Sequence, residues 1–101
     1  MNAKLLSIEP TPKAGKFKLV VSIGDNCHEF AITGETDKIA DRQINVINGD
    51  KIFWDLFQFN QHLAQVLYKL TAQAYNGKKI EFPQEIGEFY PDKPAVLERH
   101  R

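Results

Sequence analysis

Residues 48–77 read NGDKIFWDLFQFNQHLAQVLYKLTAQAYNG. Asn48, Gly49 and Asp50 bring capping groups to the front of this run. Asn76-Gly77 supplies a C-terminal stop, and neither proline nor glycine interrupts the interior. At about 100° per residue, Ile52, Leu56, Phe59, Leu63, Val66, Leu67, Leu70 and Ala74 fall on one face. The spacing predicts one long amphipathic helix over about residues 50–76, with that stripe as its core contact.

The flanks of the stripe differ. Phe53, Phe57, Ala64, Tyr68 and Tyr75 lie beside it and widen the apolar arc to roughly 200°, where an ordinary surface helix needs roughly 100°. Trp54 projects farther round, among Asp55, Gln58, Gln61, His62, Gln65, Lys69 and Gln73. No Lys, Arg, Asp or Glu occurs from Leu56 to Tyr68. Two readings follow. Either a curved sheet takes the aromatics into the core and a loop or the tail covers Trp54, or this flank meets another chain. Interface centres lose charge and gain aromatics, as this flank does.

Upstream, Ala3–Glu9 reads as a first strand, broken by Pro10-Thr11-Pro12-Lys13-Ala14-Gly15. Lys16–Ile23 is the clearest strand, with Phe17, Leu19, Val21 and Ile23 on one face. Gly24-Asp25-Asn26 signals a hairpin, and Cys27–Thr33 returns as the next strand. A two-residue turn at Asp25-Asn26 sets Ile23 opposite His28, Val21 opposite Phe30 and Leu19 opposite Ile32, which puts His28 on the core side. Residues 34–43 read as a short helical turn or a loop, and Ile44–Ile47 as a short strand entering the helix. Downstream, Lys78–Phe82 reads as a weak edge strand closed by Pro83, and residues 90–101 as a mobile tail. The expected fold class is α+β: one domain over 1–89, with a small antiparallel meander of about four to five strands on one long helix.

The 101 residues suit a single domain, and formal net charge is zero. No overall pull toward nucleic acid or membrane results. Residues 1–20 carry a net +3 and residues 21–37 a net −4, blocks that offset each other if paired as strands. Cys27 is the only cysteine, so an intrachain disulfide is excluded. With no signal-peptide core and no spanning apolar run, the expected setting is cytoplasmic.

Chemical motifs are scarce. In Cys27-His28-Glu29, strand geometry sends Cys27 and His28 to opposite faces, which separates a nucleophile from its base. His28, His62 and His100 show no zinc-ligand spacing, and no glycine-rich phosphate loop occurs. Neither a catalytic residue, a cofactor nor a metal is implied. The first functional reading is a protein-interaction module: an adaptor, a regulatory or assembly subunit, or an inhibitor. Phe53, Trp54, Phe57, Gln58, Gln61, Gln65, Tyr68 and Tyr75 would face a second protein or a second copy of the chain as a homodimer. One alternative is nucleic-acid binding through Lys13, Lys16 and Lys18, against which the strand face carries no aromatics for base stacking. Another is a ligand or catalytic cup near His28, with Tyr68 or Tyr75 at its rim.

Overall fold

The computed structural model describes residues 1–39 and 42–91, with backbone alone for 35–39 and 42–46. Five strands and two helices follow in the order β1 (Asn2–Pro10), β2 (Lys16–Ile23), β3 (Asn26–Ile39), β4 (Arg42–Gly49), α1 (Lys51–Phe57), α2 (Gln61–Tyr75) and β5 (Gln84–Glu88). All strand pairs are antiparallel, in the order β4-β3-β2-β1-β5. The first four strands form a meander, and β5 returns to pair with β1. The class is α+β. No helix among the described residues is long and apolar enough to cross a membrane.

The β2–β3 hairpin turns at Gly24-Asp25, one residue earlier than expected. Ile23 pairs with Asn26, Val21 with His28, Leu19 with Phe30 and Phe17 with Ile32. The pairing is thus displaced by two residues, and because side chains alternate with period two, every residue keeps its face. Leu19, Val21, Ile23, Phe30 and Ile32 are buried, as predicted for that face. In β1, Leu5 pairs with Val21 but Ser7 with Val20, so Leu6 is an inserted residue. This bulge moves the inward face from Ala3 and Leu5 to Ile8, and it bends the sheet.

The expected single helix is two helices separated at Gln58–Asn60. A straight helix over 50–76 would measure about 40 Å, whereas an eight-residue strand such as β2 spans about 26 Å. The break lets both pieces lie against the sheet. Asn60 is the pivot: it is 2% exposed, and its carboxamide accepts from Tyr90 N–H at 2.8 Å and donates to Tyr90 C=O at 3.0 Å. With φ −134° and ψ 56°, Asn60 leaves helical geometry. Its carbonyl starts α2 by accepting from Leu63 and Ala64 N–H at 3.0 and 3.2 Å. Two apolar stripes result, Phe53 and Phe57 on α1 and Leu63, Ala64, Leu67, Leu70 and Thr71 on α2. Ile52 and Phe59, expected in the core, are 56% and 40% exposed because the phase of α2 does not carry through Asn60.

Asp50 joins α1 to the sheet. Its Oδ1 caps the helix by accepting from Phe53 N–H at 2.9 Å, and its Oδ2 accepts from Ala31 N–H at 3.0 Å. Its own N–H donates to Ala31 C=O at 3.0 Å. The residue before it must be glycine, because a Cβ on Gly49 would enter the Phe53 ring.

Three further expectations change. Of the stretch read as a turn or loop over 34–43, the described residues 34–39 and 42–43 are β-ribbon: β3 continues to Ile39, paired with β4 back to Arg42. Residues 78–82 form no strand. Lys78 N–H instead donates to Gln73 C=O at 2.9 Å in a Schellman ending around Gly77, φ +81°, and the strand starts after Pro83. Of the tail expected over 90–101, residues 92–101 lie outside the described residues, while Tyr90 is docked on Asn60, and Phe89 just before it is docked as well. Phe89 N–H donates to Met1 C=O at 2.7 Å, and its ring centroid is 6.2 Å from that of Phe57.

Candidate protein interface

The eight residues expected at an interface separate into three groups. Phe53 and Phe57, at 0% and 1% exposure, belong to the core. They tile against Phe30 at ring-centroid distances of 5.4 and 5.6 Å. Tyr75 lies at the far end of α2, half-buried, with its ring against Gly34. The other five remain at or near the surface. Gln61, Gln65 and Tyr68 recur at i, i+4 and i+7 and share a face of α2. Trp54, on α1, reaches that face by packing at 6.3 Å from Tyr68 and edge-on at 5.6 Å to Phe53.

Trp54 is 43% exposed, its ring held by Phe53 and Tyr68 beneath. Tyr68 is half-buried. Burial pushes its hydroxyl above the ordinary tyrosine value, and a hydrogen bond with the Gly49 backbone pulls the other way. Beside them the glutamines of the helix break turn onto their own backbone. Gln58 Nε2 donates to Asp55 C=O at 3.3 Å and Gln61 Nε2 to Gln58 C=O at 3.2 Å. Such a surface sets an exposed aromatic ring beside uncharged amides.

Sequence reasoning missed a second apolar feature. Ile52 stands at the start of α1 between two open grooves. One, of about 320 Å³, is lined by His28, Ile52, Asp55 and Leu56. The other, of about 280 Å³, includes Lys16, Lys18, Glu29 and Ile52. The helix-breaking tendency of Asn60 was the available signal, since restarting the helical phase at Asn60 releases Ile52 from the core stripe. His28 faces inward as predicted, but neither Tyr68 nor Tyr75 lines its groove. Cys27 is exposed on the opposite face of β3, as the strand geometry predicts.

The lysine row is interleaved with acids. Lys18 Nζ lies 3.8 Å from Glu9 and 3.6 Å from Glu29, while Lys13 is exposed in the β1–β2 loop and Lys16 half-buried on the strand. The outer sheet face is therefore mixed in sign rather than a basic stripe. No protein-family model matches the chain, and no curated protein matches it.

Proposed function

We propose that this chain is a protein-interaction module, an adaptor, regulatory or assembly subunit or inhibitor, which docks through Trp54 and the adjoining face of α2. The observation that carries the reading is the exposure of Trp54, the only tryptophan, at 43%. It is supported from below by Phe53 and Tyr68 and bordered by exposed Gln58, Gln61 and Gln65. A rigidly backed aromatic beside neutral glutamines, with the Lys51–Asp55 ion pair at its edge, matches the aromatic core and polar rim of interface hot spots. The single cysteine suits a reducing compartment, and the cytoplasm is the proposed setting.

The test is comparative capture. Trp54→Ala should weaken association with a bound protein by about 2 kcal/mol or more and leave the fold intact, because the ring rests on the core without filling it. Equal capture by wild type and variant would remove Trp54 from the account.

A further inference from the structure

β4 pairs with β3 only from Ile32, opposite Gly49, onward to Ile39. One residue earlier, Ala31 has both backbone groups occupied by Asp50: its C=O accepts from Asp50 N–H and its N–H donates to Asp50 Oδ2, each at 3.0 Å. Both groups therefore point away from β2. In an antiparallel strand the backbone groups change sides residue by residue, so Glu29 and Cys27 aim their N–H and C=O along the same open edge. None of these four groups has a partner among the described residues. The edge is short and carries one charge, Glu29, but the β2–β3 ladder runs without a register shift and Asn26–Ala31 contains no proline or lysine, so neither a bulge nor a missing donor bars a partner strand. Beneath it lies the groove of His28, Ile52 and Leu56.

We propose that this edge pairs with the same edge of a second copy of the chain, antiparallel about a two-fold axis at His28. In that register Cys27 stands opposite Glu29 of the partner subunit and Glu29 opposite the partner's Cys27. Each pair exchanges two hydrogen bonds, so all four idle groups of each copy are used with none left over. Like charges do not meet: Glu29 faces an uncharged residue and keeps its own Lys18 at 3.6 Å. His28 meets the partner's His28 as the close, non-hydrogen-bonded pair, over a groove to which both copies bring Ile52 and Leu56. Asp50 stops the pairing at Ala31. The contact is thus short, below the roughly 1,200 Å² of a standard interface, and the dimer is weak, with a Kd between about 10 µM and 1 mM. This inference is independent of the Trp54 reading, since Trp54 packs toward α2 and Tyr68.

Sedimentation under reducing conditions, with amide exchange followed by NMR, tests it. The mass should rise toward a dimer near 1 mM, with the amides of Cys27 and Glu29 gaining protection as it does. Glu29→Pro removes a donor that points away from β2, so the hairpin tolerates it, while dimerisation should weaken about thirtyfold through the two bonds lost per dimer. Trp54→Ala should leave it unchanged. Independently of any proline effect on folding, His28→Cys in a Cys27→Ser background should form an intersubunit disulfide on mild oxidation. The non-hydrogen-bonded pair sets Cα atoms about 4.5 Å apart, within disulfide range. A monomer at 1 mM with no cross-link overturns the proposal. So does a dimer indifferent to Glu29→Pro, or one dissolved by Trp54→Ala. Protection of both amides in a monomer at every concentration also overturns it, by showing that the edge is covered from within the same chain.

Discussion

Replacing Asp50 with alanine removes two functions of one carboxylate at once. The cap on Phe53 N–H at 2.9 Å is lost, which costs about 1 kcal/mol. The bond to Ala31 N–H at 3.0 Å is lost as well, and bonds to a charged group contribute about 1.5 kcal/mol at the low end. Water reaches this half-buried site, so the low end applies. The backbone bond from residue 50 to Ala31 C=O survives but is no longer braced. The sum is about 2–3 kcal/mol, or a fall in Tm of about 8–24 °C for a domain of this size. Urea unfolding followed by circular dichroism measures it. Asp50→Asn separates the contributions, because asparagine caps as well as aspartate but offers one carbonyl oxygen rather than two, so it should recover the cap and lose the Ala31 bond. A loss below about 0.5 kcal/mol for Asp50→Ala would refute the assignment of Asp50 as the link between α1 and β3.

Asn60→Ala deletes both bonds to Tyr90 in a buried site and should cost about 2–3 kcal/mol, with faster exchange of the Tyr90 amide; unchanged exchange at Tyr90 would contradict the docking of this segment. Tyr68 has its pKa raised in the folded state, chiefly by burial. Its contribution is therefore complete below about pH 10, the unfolded value, and is lost as pH rises through the folded one. Tyr68→Phe should accordingly flatten the alkaline end of the stability profile, and parallel loss in both proteins would show that the hydroxyl is not responsible.

Period-two alternation made the β2–β3 hairpin legible from residues alone, and it kept Leu19, Val21, Phe30 and Ile32 in the core even though the turn sits at Gly24-Asp25. A two-residue displacement changes partners but not faces, so burial patterns alone do not detect it. The helix was legible in its ends and in the apolar content of its second half. Its break was not, because Asn60 leaves the helix to satisfy Tyr90, 30 residues away, and a long-range bond leaves no local periodic trace. That one residue moved Phe53 and Phe57 into the core and Ile52 to the surface. The extent of β3 and β4 was obscured by polar, acidic sequence over 34–43 that resembles a loop. Of the expected interface, Trp54, Gln58, Gln61, Gln65 and Tyr68 share one region because helical spacing survives within each piece, whereas Tyr75 is drawn to Gly34 by sheet geometry that no local pattern encodes.

The most direct measurement is the fluorescence of Trp54, which alone reports because the chain has a single tryptophan. An exposed docking residue predicts red-shifted emission in the isolated protein, readily quenched by acrylamide and iodide, with a blue shift and protection when a partner protein is added. Blue-shifted emission that resists both quenchers in the isolated monomer would mean that the chain covers Trp54 itself, and would contradict the account.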